Sequence, residues 1–409
     1  MSNDPGLPLN SSPRRTHVPF SRRKVFSAVA LFLILILVLW VIRGDGIGLQ
    51  RGSSTPASTL VSTNPALLNP GPATFALILM SMGDVPAAKI LIKSILIHNT
   101  LPSTFHIFCS PDVSKSLQAP LHLISRPRHE TRIIFYHLSW PSMRARIERE
   151  GNLYTDDQAL PSVMKLFLHE LLPSSTKYAI YIDPTALFIS DPAALWRETM
   201  RLVPPAAPAA SLYYDQQSKA GRAHVLLLNL EKLREVRLMD SNVFRKVDHA
   251  ANGAISSSAF RVALGPPTRA DGRYDVRAMG GDEVFWRALV VYRPDLFRVL
   301  DEGYVVEGCS RKQTAGLGSA DVSVEGSITP RLVHFDCVKS RPYTEWRGWD
   351  DPDALVNRRW GDAFRYLAGY KWLWLNGGET EAAGSLRLHV IKEGVIFGDE
   401  RYAMLHRPQ

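Results

Sequence analysis

Cysteine is scarce in this chain: Cys109, Cys309 and Cys337 are the three thiols among 409 residues. Three thiols allow at most one internal disulfide and leave one over, which excludes a disulfide-stapled scaffold. A Cys309–Cys337 bond in an oxidising lumen and three buried thiols both stay open. Internal repeats are absent, and so is any basic run or RNA-binding motif in the body of the chain. Much of the net charge of +9 is local: residues 1–43 carry six Lys/Arg against one Asp, and the other 42 against 38 leave only +4. No nucleic-acid partner is expected. N-glycosylation sequons are also missing, apart from Asn10-Ser11-Ser12 near the start.

What is present begins with Val25–Ile42, VFSAVALFLILILVLWVI, eighteen residues without a charge. That length of helix just crosses about 30 Å of hydrocarbon. A cleaved signal peptide would have a shorter leading region and a small-x-small site behind the run; RGDGIGLQRG offers none, so an uncleaved anchor is expected. Arg14, Arg15, Arg22, Arg23 and Lys24 precede the run and only Arg43 and Arg51 follow closely. The N-terminus should therefore stay cytoplasmic and the bulk of the chain luminal, with the sequon unused. The expected division is a cytoplasmic tail (1–24), a signal-anchor (25–42), a flexible Ser/Thr/Pro/Gly-rich stem (43–72) and a luminal domain (73–409).

Behind the stem, apolar strands alternate with helical patterns. TFALILMSMG leads into VPAAKILIKSILIHN, then FHIFCS, IIFYHL, the amphipathic PSVMKLFLHELL and YAIYI. This order predicts an α/β domain with a mainly parallel sheet, whose ligands bind at the carboxyl ends of the strands. RAHVLLLNL and RLVHFDCVKSRPY read as further strands, and MGGDEVFWRALVV as a Gly-Gly turn entering a helix; KWLWLN and LRLHVIKEGVIF carry no clear assignment.

Several residues could carry chemistry. Asp183, ending a buried strand, and His334, ending another, suit a divalent ion of the Mn²⁺ or Mg²⁺ type. Equally, Asp183 could be a turn aspartate before Pro184 and His334 a core histidine. Asp282 and Glu283 could simply be first-turn helix acids, and Lys165 a helix-surface lysine.

Their order along the chain resembles glycosyltransferase family 8, notably the glucoside xylosyltransferases, over roughly residues 74–345. The matching segments are LILMSMG, ILIKSILI with Lys93 and Ser94, FHIF, MKLFLHELL with Lys165, YIDPTALFISDPAALW, HVLLLNLEKLRE and LVHFDCVKSRP. The resemblance implies a GT-A type nucleotide-sugar-binding domain in a single-pass type II protein of the Golgi membrane. It implies retaining transfer of xylose or glucose from a UDP-sugar to a glycan or glycoprotein acceptor. By position it puts Asp183, Thr185 and His334 at a Mn²⁺ or Mg²⁺ ion, Ser81, Lys165, Asp183 and Lys339 at the nucleotide sugar, and Asp282 or Glu283 at the reacting sugar.

Three motifs depart from the family's pattern. Thr185 stands where the second acid of Asp-x-Asp belongs, Arg222, Ala223 and His224 take the Asn, Ser/Thr and Gly places, and Gly281-Asp282-Glu283 replaces Asp-Gln-Asp. A neutral ligand in place of an anionic one weakens a divalent site. Arg222 offers a guanidinium that could offset diphosphate charge, or is a surface residue at a strand start. The alternative function is a catalytically inactive relative that binds a glycan or a partner transferase.

Overall fold

The structure is a computed structural model that describes residues 71–202, 208–214, 223–239, 257–300, 304–307, 331–335, 355–379 and 383–392. The apolar run 25–42, the stem to residue 70, Arg222, Cys309, Cys337 and Lys339 lie outside the described residues. All the described residues belong to the compact unit Thr63–Gln409. Among the described residues no helix is long and apolar enough to cross a membrane.

Strand β1 (Ala73–Leu79) runs through a 3₁₀ turn into helix α1 (Val85–His98), followed by β2 (Ser103–Cys109), α2 (Pro111–Leu121), β3 (Thr131–His137) and α3 (Trp140–Glu150). Next come β4 (Leu153–Tyr154), α4 (Leu160–Met164), β5 (Tyr178–Ile182), β6 (Ala186–Phe188), α5 (Ala193–Met200), β7 (Ala210–Tyr214) and β8 (Ala223–Asn229). After α6 (Leu230–Glu235) and β9 (Tyr274–Asp275) follow α7 (Glu283–Tyr292), β10 (Phe297–Val299), β11 (Val305–Glu307), β12 (Leu332–His334), α8 (Leu355–Gly369) and β13 (Leu386–Ile391).

The main sheet has eight strands in the order β10-β7-β8-β5-β1-β2-β3-β13. Its pairs are parallel except at β8, which runs antiparallel to both β5 and β7. This is a mixed α/β fold with a largely parallel central sheet, as the strand and helix alternation predicts. Both faces of the central strands are covered, which explains their continuous apolar runs. Phe75, Leu77 and Leu79 of β1 pack with Ala88, Leu91, Ile92 and Ile95 of α1. On the opposite face, Ala76 and Ile78 pack with Met143 and Ile147 of α3 and Leu160 and Val163 of α4. Each large apolar side chain buried here contributes about 1.5–3 kcal/mol.

Two departures from the expected elements bear on the site. PSVMKLFLHELL is not one amphipathic helix: α4 ends at Met164, residues Lys165–Phe167 form a 3₁₀ turn, and a short helix resumes at Leu168. This stretch packs against the sheet, and every residue from Val163 to Leu172 is buried. The unassigned LRLHVI becomes β13, an edge strand parallel to β3, and KWLWLN contributes a 3₁₀ turn at Trp372–Leu375.

Candidate functional site

The backbone gathers the site where β5 ends. The β5/β8 register pairs Ile182 with Val225, and the next residues along are joined by the Asp183 N–H donating to the His224 carbonyl at 3.0 Å. A tight turn closed by Ala186 N–H to the Asp183 carbonyl (3.1 Å) then starts β6. β6 pairs antiparallel with β12, so Ala186 faces His334, and the Phe335 N–H donates to the Thr185 carbonyl at 3.1 Å. Three strand ends from distant parts of the sequence thus meet at one point.

The side chains there form a connected set. The imidazole of His224 places Nδ1 3.0 Å from Asp183 Oδ2 and stacks on His334, ring centroids 3.5 Å apart and planes 24° apart. Thr185 Oγ1 lies 3.0 Å from His334 Nε2. The other carboxylate oxygen of Asp183, Oδ1, accepts from the Tyr181 hydroxyl and sits 3.6 Å from the Lys165 ammonium. That ammonium donates to the Ala223 carbonyl at 2.8 Å and lies 3.0 Å from Asp282 Oδ2. Lys165 is therefore no surface lysine: its 3₁₀ turn aims it inward and leaves it 2% exposed.

Asp282 is fully buried at the start of α7, where Gly280 and Gly281 hold φ of 99° and 117°. Those left-handed angles are strained for a residue with a Cβ, and they turn the chain sharply into the helix. Asp282 does not cap α7 with its side chain; it faces Lys165. Glu283, equally buried, pairs with Arg287 one turn along α7. Of the two acids expected at the reacting sugar, Asp282 joins the cluster by a direct ion pair. Ser81 is not part of these contacts: its hydroxyl accepts from Gly83 N–H at 3.0 Å, and Asp84 reaches back to the Ser81 N–H at 3.2 Å, closing the turn after β1.

Electrostatics follows from the arrangement. Burial alone would raise Asp183, but the Lys165 charge, the His224 hydrogen bond and the two imidazoles outweigh it and hold the carboxyl well below the usual carboxylate range. Burial, reinforced by His334, pushes His224 down to about 3, so it is a neutral imidazole at physiological pH. Tyr181 is pushed far up by burial and by the charge and hydrogen bond of Asp183, and stays a hydrogen-bond donor.

One ligand atom from each of Asp183, His224 and His334 lies within 4.8 Å of the others. One carboxylate and two imidazoles are an ordinary donor set for a divalent ion, so these residues fit a divalent metal. His224 was not among the expected ligands, because it occupies a glycine place in the compared motif. The signal that could have found it is polar: a histidine opening an otherwise apolar strand, HVLLLN.

No family model and no curated protein sequence matches this chain. Solved structures with a similar course include mouse xyloside xylosyltransferase 1 in its apo form, at 13% identity and a TM-score of 0.44, covering 65% of this chain and 98% of that one. The galactosyltransferase LgtC, in complex with donor and acceptor sugar analogs, aligns at 14% identity and a TM-score of 0.42 over 72% of this chain and 95% of its own. The glycosyltransferase GlyE of Streptococcus pneumoniae TIGR4 aligns at 12% identity and a TM-score of 0.45 over 77% and 65%. Likeness at these values assigns this chain neither a family nor an activity.

Proposed function

We propose that the chain is a GT-A type sugar transferase that takes xylose or glucose from a UDP-sugar and passes it, with retention, to a glycan or glycoprotein acceptor. The observation that carries the reading is the meeting of Lys165, Asp183, Thr185, Asp282 and His334 in one contact network at the carboxyl end of β5. Ligands of open α/β sheets bind at that end.

A divalent ion bound by Asp183 and His334, with Thr185 beside them, would supply Lewis-acid neutralisation of the diphosphate leaving group. The chain's own groups have separate tasks. Lys165 fixes the Asp282 carboxyl group through their 3.0 Å pair, so that it would be a preset group beside the bound sugar. Tyr181 holds the Asp183 carboxylate in one orientation through Oδ1. Lys339, just beyond β12, would add a positive charge at the diphosphate. The anchor 25–42 would hold the domain on the luminal side of a Golgi membrane.

Titration of the full-length protein with UDP, with and without a divalent ion, tests this reading: saturable binding is expected, and none up to millimolar UDP would sink it. A second reading, a catalytically inactive relative that binds a glycan or partner transferase, is favoured by the neutral Thr185 and by the engagement of Lys165 with both Asp183 and Asp282. UDP-sugar hydrolysis that is measurable in the native protein and lost in Asp183→Ala would argue against it.

A further inference from the structure

Position 185 lacks an acid, and the residue facing Asp183 from the neighbouring antiparallel strand is a histidine. We infer that His224 is a metal ligand, so that Asp183, His224 and His334 form a one-carboxylate, two-imidazole site selecting a borderline ion, Zn²⁺ or Co²⁺, over Mn²⁺ or Mg²⁺. The inference deepens the transferase reading and rests on it for the ion's role, although ion binding is measurable without any nucleotide.

Three observations carry it. First, the spacings are those of neighbouring ligands. Donor atoms about 2.1 Å from one ion lie about 3.0–3.4 Å apart at right or tetrahedral angles. His224 Nδ1 is 3.0 Å from Asp183 Oδ2, and one ligand atom from each of Asp183, His224 and His334 lies within 4.8 Å of the others. Second, the carboxylate is oriented from behind. Tyr181 and Lys165 engage Oδ1, which turns Oδ2 toward the histidines, the kind of outer support that ligating carboxylates carry. Third, His224 reaches the site from β8, next to β5 in the sheet, and so takes up the clamp that Thr185 cannot complete.

The selectivity follows from donor chemistry. Carboxylate and water suit Mg²⁺ and Mn²⁺, whereas imidazole suits Zn²⁺ and its neighbours, and affinity for nitrogen donors rises from Mn²⁺ through Co²⁺. The Lys165 ammonium, 3.6 Å from Asp183, opposes every dication alike. The preference among ions must then come from the two imidazoles.

The test is equilibrium dialysis of chelator-stripped full-length protein against Zn²⁺, Co²⁺ and Mn²⁺, with bound metal counted by mass spectrometry. The native protein should take up one Zn²⁺ per chain more than His224→Ala, whose affinity at this site should fall by about 100-fold or more. His224→Asp should move the preference toward Mn²⁺ by at least about tenfold. A variant-free measurement stands beside these: the Co²⁺-loaded native protein should show visible d–d bands that Zn²⁺ abolishes and equimolar Mn²⁺ leaves. Equal Zn²⁺ uptake by native and His224→Ala protein, or displacement of Co²⁺ by equimolar Mn²⁺, would overturn the inference. Zn²⁺ uptake without UDP binding would uphold it and remove the transferase reading; UDP binding with no stoichiometric Zn²⁺ uptake would do the reverse.

Discussion

Replacing Lys165 by methionine keeps the length of the side chain and removes the ammonium between two buried carboxylates. The pair distances are 3.0 Å to Asp282 and 3.6 Å to Asp183. At an effective dielectric of 20 each corresponds to about 5 kcal/mol of attraction. Part of that is returned, because the lysine no longer has to be desolvated, and loss of one partner of a buried pair typically costs about 3–5 kcal/mol. Against a total stability of about 5–15 kcal/mol, Lys165→Met should shift the urea midpoint strongly at pH 7.5. The double variant Lys165→Met/Asp282→Asn, which neutralises the fully buried acid, should regain about 2 kcal/mol or more.

The pH dependence gives a second check on the same variant. In the native protein the folded pKa of Asp183 lies below its unfolded value of about 3.9, so its contribution is complete above pH 4 and is lost only as pH falls further. In Lys165→Met the largest opposing charge is gone while burial persists, so the pKa of Asp183 rises. The variant's deficit should then shrink between pH 7.5 and 5, as Asp183 takes up a proton. Circular dichroism melts in urea at these two pH values make the measurement. A loss under about 1 kcal/mol at pH 7.5, or a double variant no more stable than Lys165→Met, would refute the electrostatic account.

Three histidines should make the fold acid-sensitive above the carboxylate range. Burial pushes His169 and His224 down to about 3 and His106 to about 4, so below pH 6.5 the unfolded chain binds protons that the folded chain refuses. Stability should therefore fall with pH by up to about 4 kcal/mol per unit between pH 6 and 5, and a flat unfolding midpoint there would contradict the burial. Gly281→Ala meets a φ of 117°, and should cost about 1–3 kcal/mol in unfolding free energy and weaken any ligand binding that depends on Asp282. Cys109 is fully buried, with its thiol pushed up to about 12 by that burial, so mass-spectrometric mapping should find it unmodified by thiol reagents at pH 8 until the protein unfolds.

Much of the architecture was legible because the apolar runs are long and both faces of the strands are covered. β1, β2, β3, β5 and β8 fall where TFALIL, FHIFC, IIFYH, YAIYI and HVLLLN lie. The Gly-Gly entry to α7 was legible too, since glycine tolerates the left-handed angles that such a turn needs. Lys165 was less so. Helical periodicity continues through MKLFL, and the tightening to a 3₁₀ turn comes from packing against the sheet. β13 escaped because it is a short, mostly exposed edge strand whose place is set by its pairing with β3 rather than by burial of its own.

The sequence by itself therefore determined the alternation of strands and helices, the covered sheet, and the placement of Asp183 and His334 at strand ends, since local periodicity and turn chemistry suffice for these. Only the tertiary structure decided which side chains meet. Thr185 and His334 touch across 149 positions of sequence because β6 and β12 pair antiparallel. His224 faces Asp183 because β8 runs against its neighbours in register with β5. Asp282, and not Glu283, reaches Lys165 because the turn at Gly280–Gly281 sets where α7 begins. Strand register and helix onset are settled by burial of the whole sheet at once, and that information is not held in any one stretch of the chain.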